Sequence, residues 1–224
     1  MRIFDCFMFY DEEVVLDIRL NSLKNFVDCF VIVESKFYHN GKKRNLKFNI
    51  DNFPKFKDKI IYIVQDEEPL NLETVKKEDD EGTKSYKFIF NSHKRENFQR
   101  NLISKGLNKS NEDDLIMISD VDEIPNLKDL NVAKVNNKLV IFEQNIFYYK
   151  LNRYLEGFTW HGTKACKKKN LKSPQWIRNV KNKKFGFWRL DTFFSETKYI
   201  NKIFIKSGGW HFSNLKNPVD IENK

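Results

Sequence analysis

Three long apolar runs constrain the fold of this chain more than any other feature of its sequence. They lie in the stretches DCFVIVES (28–35), KIIYIVQD (59–66) and DDLIMISDVDEIP (113–125). A continuous apolar run is typical of a strand that is buried on both faces, as in a parallel sheet covered by helices. The sequence therefore predicts an α/β protein.

Helical patterns separate these runs. A first strand, RIFDCFMFY (2–10), precedes DEEVVLDIRLNSLKNF (11–26), whose acidic start and broad apolar face favour a helix. The charged stretch 66–83 is interpreted as a surface loop. A long helix is predicted from Ser85 to Lys105, with Gly106 as its stop signal. Strands that alternate with helices predict a mostly parallel sheet with helices on both faces.

The second half of the chain is richer in predicted strands, so we expect the sheet to be mixed. The patterns predict a short helix over 126–135 and strands over 138–152 and 158–168, joined by a turn near Glu156 and Gly157. A helix is predicted at SPQWIRNV (173–180), which has a serine cap followed by proline. A late strand, KIFIKSGGWHFS (202–213), is interrupted by two glycines.

The organisation of the chain predicts a single domain over residues 1–224. Glycine and proline are scarce, at 8 and 5, and no Gly/Ser-rich linker divides the sequence. Asn217 and Pro218 look like the start of a helix close to the last residue. We therefore expect the sequence to be a truncated part of a longer polypeptide.

The formal net charge of +9 suits anionic partners such as nucleic acid, a membrane surface or a phosphorylated small molecule. No helix-turn-helix, RNP or zinc pattern accompanies this charge, so we expect no specific nucleic-acid partner. The cysteines Cys6, Cys29 and Cys166 form no CxxC pair, which predicts free thiols in a reducing compartment. The sequence has no signal peptide and no run of 18 apolar residues, so a cytoplasmic protein without a transmembrane segment is expected.

Three carboxylates follow the third apolar run directly, in the stretch SDVDEIP (119–125). In a strand, alternate side chains share a face, so Asp120 and Asp122 are expected to point the same way. The carboxyl end of a buried strand is where open α/β sheets bind ligands. Crowded carboxylates repel one another unless a cation lies between them, and Mn²⁺ or Mg²⁺ prefers such oxygen ligands. A strand end with capping aspartates remains the alternative interpretation.

Two further stretches carry candidate ligand-binding groups. The predicted helix HKRENFQRNLISKGL (93–107) presents Arg95 and Arg100, and arginine suits bidentate contact with a diphosphate. The alternative is a polar helix face with an ion pair. In GGWHFS (208–213), the glycines allow close approach to a ligand, Trp210 offers a ring, and His211 is a candidate metal ligand. A packed core histidine is the competing interpretation.

Together these stretches resemble glycosyltransferase family 17. The resemblance rests on FDCFMFYDEEVVLDIRLNSL, VDCFVIVES, RENFQRNLISKGL, ISDVDEIP, WHGT and GGWHFS, which occur in the order seen in that family. It extends from Ile3 to about Ser213. It implies a GT-A-like nucleotide-sugar-binding fold, a UDP-sugar donor, most simply UDP-GlcNAc, and an inverting transfer to a saccharide acceptor. The missing anchor makes the chain look like the soluble branch of bacteria or viruses, in the cytoplasm or peripheral to a membrane.

The resemblance also implies roles for particular residues. Asp120, Asp122 and His211 would hold Mn²⁺ or Mg²⁺, which offsets the charge of the departing UDP. Asp191, Glu196 and Glu143 are candidates for the general base that an inverting transfer needs. Trp160, His161 and Trp176 are candidates for an acceptor platform. The donor would be bound by residues of the strand ends, the Arg-bearing helix and the carboxylate motif: Phe4, Asp5, Cys6, Phe7, Glu34, Ser35, Arg95, Arg100, Asp120, Val121, Glu123 and Trp210.

Two other functions remain open at the level of sequence. A metal-dependent nucleotidyltransferase also uses paired aspartates on a strand, but it would need a Gly-Ser nucleotide loop upstream, which is absent. A non-catalytic relative that binds sugar or nucleotide would keep the same motifs. Release of UDP from UDP-sugars distinguishes an enzyme from a binding protein.

Overall fold

The computed structural model describes residues 1–128, 130, 135, 139–183, 185–186, 188, 194–198 and 200–215. The helices are α1 (Glu13–Leu23), α2 (Glu81–Asn101), α3 (Ile103–Gly106) and α4 (Pro174–Asn179). The strands are β1 (Ile3–Phe9), β2 (Cys29–Ser35), β3 (Ile60–Gln65), β4 (Leu115–Asp120), β5 (Glu123–Pro125), β6 (Leu139–Tyr148), β7 (Tyr154–Lys167), β8 (Lys202–Ile205) and β9 (Gly209–Ser213).

The first half of the chain forms a parallel sheet in the order β3-β2-β1-β4. β1 pairs in parallel with both β2 and β4, and β2 pairs in parallel with β3. The carboxyl ends of these four strands therefore meet at one edge of the sheet. This arrangement confirms the parallel α/β sheet predicted from the apolar runs.

The second half of the chain extends the sheet with mixed strand directions. β7 pairs antiparallel to β4 and to β6, whereas β8 and β9 lie parallel to β6 along its other edge. β5 pairs antiparallel to β9. Since β5 follows β4 after a two-residue turn, the sheet curls back on itself. The prediction of a mixed, mostly parallel sheet with flanking helices is confirmed.

One turn was predicted in the wrong place. The chain reverses between β6 and β7 over residues 149–153, and Gly157 lies within β7 with a positive φ of 77°. The pairing of β6 with β7 shifts register between Asn145 and Phe147, which accommodates extra β7 residues as a bulge. Glycine therefore marks a bulge here and not the hairpin turn.

The core has two layers, one on each face of the sheet. Phe7 of β1 packs with Leu16 and Leu20 of α1 on one face. Phe4 of β1 packs with Ile103 of α3 on the other. Because successive strand residues point to opposite faces, each apolar run fills both layers, as a sheet covered on both sides requires.

The long helix begins four residues earlier than predicted. Asp80 caps its N-terminus by accepting a hydrogen bond from the Thr83 backbone N–H at 2.9 Å. Gly106 ends α3, as expected of a stop signal, and it also lies against β2. A methyl group at Gly106 would come within 2.5 Å of Val31 Cγ1.

Some predictions can be compared only in part. The helix predicted at Asn217 lies outside the described residues, as do half of the helix predicted over 126–135 and the base candidate Asp191. Cys6, Cys29 and Cys166 are free thiols, and Cys6 and Cys166 are buried. Within the described ranges, no helix is both long and apolar enough to cross a membrane.

Candidate functional site

A cavity of about 710 Å³ opens at the carboxyl edge of the parallel strands. Its walls come from the ends of β1, β2 and β4, the loop after β2, helix α2 and strands β7 and β9. The lining residues are Met8, Phe9, Tyr10, Glu12, Ser35, Phe37, Tyr38, His39, Asn40, Arg44, Ser92, Gln99, Asp120, Val121, Asp122, Trp160 and His211.

A buried arginine fixes the turn that carries the carboxylates. Arg19 of α1 is fully buried and pairs with Asp5 of β1 through two hydrogen bonds, at 2.8 and 2.6 Å. Its third nitrogen donates to the backbone carbonyls of Asp120, Val121 and Glu123 at 3.0, 3.1 and 2.9 Å. These three carbonyls lie at the turn between β4 and β5, and the Glu123 carbonyl also accepts a hydrogen bond from Thr163 Oγ1 at 2.8 Å. Arg19 therefore sets the backbone path between β4 and β5.

Glu123 is held in a buried network beside this turn. Arg178 of α4 donates to both of its carboxylate oxygens, at 2.7 and 3.0 Å, and Trp160 Nε1 donates to one of them at 2.8 Å. The backbone N–H of Asp120 donates to the other oxygen at 2.9 Å. Glu123 is only 1% exposed and accepts four hydrogen bonds, so it stabilises the turn. Its carboxylate oxygens have little remaining capacity to accept a hydrogen bond from a substrate.

Asp120 is held between two arginines. Arg100 of α2 donates to Oδ1 at 3.1 Å and Arg178 donates to Oδ2 at 3.0 Å, while 39% of the side chain stays exposed. Partial burial disfavours its ionised form, but the charges of Arg178 and Arg100 outweigh this and lower the pKa of Asp120. Asp120 is therefore a carboxylate whose charge is already neutralised by the protein.

Asp122 has a different environment from Asp120. Its Oδ2 lies 3.4 Å from His211 Nε2, and its side chain is 28% exposed. The His211 ring stacks on Trp160, with the ring centroids 4.7 Å apart. Burial disfavours the imidazolium, but the contact with Asp122 and the charges of the nearby carboxylates outweigh it, so the pKa of His211 is raised. Asp122 and His211 thus form a pair that faces the cavity.

This pair fits a divalent cation. Adjacent ligands of an octahedral ion with bonds of about 2.1 Å lie about 3 Å apart, close to the observed 3.4 Å separation. His211 Nδ1 is buried and has no hydrogen-bond partner among the described residues, so Nε2 is the nitrogen presented to Asp122. The described residues contain no cluster of three or more potential protein ligands. Mg²⁺ and Mn²⁺ are commonly bound by one or two side chains together with water and phosphate oxygens.

The paired glycines serve the strand pairing of the site. A methyl group at Gly209, whose φ is 134°, would come within 2.1 Å of the Ile124 carbonyl oxygen. The close approach expected from the sequence is therefore to the backbone of β5. It places His211 opposite Glu123 in the β5–β9 ladder. Trp210, next along β9, points to the opposite face of the sheet and does not line the cavity.

Most residues expected to line a uridine pocket lie one step away from the cavity. Phe4, Asp5, Cys6 and Phe7 are buried, and Asp5 is occupied by Arg19. The cavity is lined instead by the next residues of the same strand, Met8, Phe9 and Tyr10. The predicted residues lie too early in the strand, because β1 continues past its buried residues before it reaches the cavity.

The second strand shows the same distinction. Glu34 is buried and accepts hydrogen bonds from Arg44, Tyr62 and the backbone of the 47–48 segment. It thereby anchors the loop after β2. Ser35, one residue further, does line the cavity, as expected.

Aromatic rings shape the wall of the cavity near β1 and β2. Tyr10 and Tyr38 contact edge to face with centroids 6.0 Å apart, and the Arg44 guanidinium lies 4.3 Å above the Tyr10 ring. Glu12 also lines this wall and forms no ion pair with any described residue. Burial raises the pKa of Glu12, despite hydrogen bonds from backbone N–H groups. This wall offers flat apolar surface and one carboxyl group.

Arg95 and Arg100, the two helix arginines, separate into different roles. Arg95 pairs with Glu68 at 2.8 Å and donates to the His39 carbonyl at 3.1 Å, so it joins the loops above the sheet. Arg100 reaches Asp120, as described above. Neither guanidinium lines the cavity.

The expected base and acceptor residues are not brought together. Glu143 and His161 face each other across β6 and β7, with Glu143 Oε1 and His161 Nε2 3.8 Å apart, on the face opposite to Trp160. Glu196 is exposed and pairs with Lys172, while Trp176 lines a separate cavity of about 530 Å³. Of the expected acceptor residues, only Trp160 lines the main cavity.

Three residues of the site were missed in the sequence. Arg19 was hidden in the apolar pattern of α1, although a charge between Ile18 and Leu20 was a usable signal. Arg178 lies in a helix of six residues, far from the motif in sequence, and no local signal indicates its contact. Glu12 was interpreted only as part of an acidic helix start.

The comparisons with known proteins can be set beside this geometry. The model of a family described as Glycosyltransferase family 17 matches residues 1–216 of the chain. The match includes all the residues that line the main cavity. A search of curated proteins found no significant match.

Proposed function

The chain belongs to glycosyltransferase family 17, and from this premise we propose that it is a metal-dependent, inverting enzyme. It moves GlcNAc from UDP-GlcNAc to a hydroxyl group of a saccharide, on a sheet of the GT-A type. The observation that carries the proposal is the Asp122–His211 pair, with 3.4 Å between Oδ2 and Nε2, in a cavity at the carboxyl edge of parallel strands. This edge is where α/β sheets bind nucleotides.

The two walls of the cavity suit the two parts of the donor. The rings of Tyr10 and Tyr38 offer the apolar surface on which a uracil base can stack. Asp122 and His211 would hold Mn²⁺ or Mg²⁺ at the other wall, where the ion would supply charge stabilisation for the departing diphosphate. The overall positive charge of the chain favours an anionic donor.

The protein's own groups position this site. Arg19 fixes the turn through backbone carbonyls, and Arg178 joins Glu123 to Asp120. Asp120, neutralised by two guanidiniums, acts in this proposal as a support for the turn and as an outer partner of the metal site. Such buried supports keep a site in its productive geometry before the substrate binds.

The acceptor hydroxyl must lose its proton as it attacks the anomeric carbon. Among the described carboxyl groups that line the cavity, Asp120 is bound by arginines and Asp122 faces His211. Glu12 has neither partner, and burial raises its pKa, which makes its carboxylate a stronger proton acceptor than an exposed one. We therefore assign Glu12 as the general base in place of Glu143 and Glu196.

The test is release of UDP from a panel of UDP-sugars with Mn²⁺ or with EDTA. UDP-GlcNAc should react fastest, and EDTA should abolish release. Asp122→Ala should lower the rate about 100-fold or more, because a Lewis-acid metal contributes several kcal/mol. Asp58→Ala, at an exposed aspartate outside the cavity, is the matched control and should keep the wild-type rate.

Two results would contradict the proposal. Normal turnover by Asp122→Ala would show that Asp122 holds no essential metal. Equal UDP release with Mn²⁺ and with EDTA would remove the metal dependence altogether.

A further inference from the structure

Lys164 of β7 is a buried cation that lies beneath the short helix α4. It is only 4% exposed, and its Nζ donates to the backbone carbonyls of Arg178 and Val180 at 2.8 and 2.6 Å. These carbonyls lie at the C-terminal end of α4, where a helix leaves its last carbonyl groups without partners inside the helix. Lys164 therefore ties this end of α4 to the sheet.

Helix α4 depends on such contacts because it has only six residues, and a helix of that length is unstable on its own. Its N-terminal end is capped by Ser173, which accepts a hydrogen bond from the Trp176 backbone N–H at 3.0 Å. Ile177 packs into the core layer that also holds Ile116 of β4. Together with the Lys164 contacts, these interactions fix both ends and the inner face of the helix.

The residue that Lys164 holds is also the one that supports the carboxylate turn. Lys164 bonds the backbone carbonyl of Arg178. The guanidinium of the same arginine donates to Glu123 and Asp120. A shift of the backbone at this position would therefore move the guanidinium relative to both carboxylates. Buried polar contacts of this kind keep a site in its productive geometry, although they touch no substrate.

The charge of Lys164 is costly where it lies. Burial is the main cause that lowers its pKa to about 7, whereas an exposed lysine has a pKa of about 10.4. The nearby charges of Arg178, Lys202 and Lys181 also disfavour the ammonium form. Glu123 favours that form and only partly offsets these effects. Because the amine binds a proton more tightly when it is exposed, docking of α4 onto the sheet strengthens as the pH rises through about 7.

We propose that Lys164 is a positioning residue for the sugar transfer, which holds Arg178 against the carboxylate turn through the C-terminal end of α4. Its effect on turnover rests on the proposed function, whereas its hold on α4 does not. A neutral amine still has two N–H donors for the two carbonyls, so α4 is held best above about pH 7. Protonation at lower pH loosens α4 and with it the guanidinium that joins Glu123 to Asp120.

Hydrogen exchange of the full chain, followed by mass spectrometry from about pH 6 to about pH 8, tests the hold on α4. The backbone amides of Ile177 and Val180 report on the helix, since they donate to the carbonyls of Ser173 and Trp176. In the wild type their protection factor should rise with pH through about 7, by up to about tenfold per pH unit. Lys164→Met removes two hydrogen bonds, so it should lower this protection about tenfold or more at pH 8 and abolish its pH dependence.

Lys59→Met is the matched control. Lys59 Nζ also donates to two backbone carbonyls, those of Lys24 and Val27, each at 2.8 Å, at the opposite edge of the sheet. This variant should leave the protection of α4 and its pH dependence unchanged. With UDP-GlcNAc and Mn²⁺, Lys164→Met should lower turnover about tenfold at pH 8, and this deficit should shrink towards pH 6. Turnover by Lys59→Met should follow that of the wild type.

Several outcomes would overturn the inference. Wild-type protection of α4 that does not change with pH would do so without any variant, even if Lys164→Met failed to fold in a thermal melt. Equal protection in the wild type and Lys164→Met, or an equal loss in both variants, would also overturn it. So would a turnover deficit of Lys164→Met that is the same at pH 6 and pH 8, because a purely structural role does not depend on the proton. If the wild type releases no UDP at any pH, the proposed function fails, while the exchange data still decide whether Lys164 holds α4.

Discussion

Replacing Arg178 with methionine should remove the central support of the carboxylate turn. The side chain makes four hydrogen bonds, two to Glu123, one to Asp120 and one to the Gly162 carbonyl. Arg178 is only 14% exposed and Glu123 only 1% exposed, so the substitution leaves a buried carboxylate without its cation. Breaking a buried ion pair from one side costs about 3–5 kcal/mol. For a chain of this size, this corresponds to a fall in Tm of about 6–20 °C.

Urea denaturation followed by circular dichroism measures this loss. Lys172→Met, which removes one partner of an exposed ion pair with Glu196, is the control and should change the free energy of unfolding by less than about 0.5 kcal/mol. Arg178→Lys keeps the charge but loses the bidentate geometry, so an intermediate loss is expected. Replacing Glu123 and Arg178 together by methionine should cost less than the sum of the single changes.

The pH dependence provides a second measurement. Arg178 and Arg100 lower the pKa of Asp120, so the stabilisation from this pairing is present above the unfolded value of about 3.9. It is lost as the pH falls through the lowered pKa. The part of the stability gap between wild type and Arg178→Met that comes from Asp120 should therefore stay constant from pH 7 to about 5 and narrow below about 4. A loss of less than about 1 kcal/mol in the free energy of unfolding at pH 7 would refute the prediction, because the pair would then contribute no more than an exposed ion pair.

Two further predictions concern single titratable groups. Glu12→Gln should lower kcat for sugar transfer about 100-fold or more, with little change in KM for the donor. The control Asp11→Asn should leave kcat unchanged. If Glu12→Gln kept more than about a tenth of the wild-type kcat, Glu12 would be excluded as the general base. Burial lowers the pKa of Lys164 to about 7. Between pH 7 and 10 the unfolded chain binds more protons at this lysine than the folded chain does. The free energy of unfolding of the wild type, relative to that of Lys164→Met, should therefore rise by up to about 1.4 kcal/mol per pH unit in urea denaturation. A difference between the two proteins that does not change with pH would contradict this prediction.

The order of elements in the parallel half was predictable because each strand has a recognisable local sequence pattern. A continuous apolar run such as 115–118 has few alternatives to a doubly buried strand, and a helix between two such runs leads to a parallel pairing. The β6–β7 connection was misplaced because Gly157 serves a bulge, and glycine gives the same signal for a bulge and for a turn. The pairing of strands that are distant in sequence, such as β5 with β9, is not indicated by any local sequence pattern.

Two parts of the candidate site were predictable from the sequence, namely the carboxylates at the end of β4 and the histidine of β9. The sequence pointed to Asp120, Asp122 and His211, and the structure brings all three to one cavity. The uridine-pocket residues were displaced because a sequence motif does not say which of its positions pack inward. Phe4 to Phe7 support the cavity from below, whereas Tyr10 borders it. Arg178 could not be found at all, because its contact with Glu123 spans 55 residues.

The two aspartates of the motif show why spacing alone cannot assign roles. Asp120 and Asp122 are equivalent in a strand pattern, yet the chain turns after Asp120 and places them in different surroundings. Asp120 meets two guanidiniums, so its charge is balanced by the protein itself. Asp122 meets a histidine and solvent, so its charge remains available to a cation. If the enzyme uses a metal, Asp122→Asn should therefore weaken metal binding more than Asp120→Asn does, whereas Asp120→Asn should cost more in stability, and the reverse pattern would show that the arginines are displaced when the metal binds.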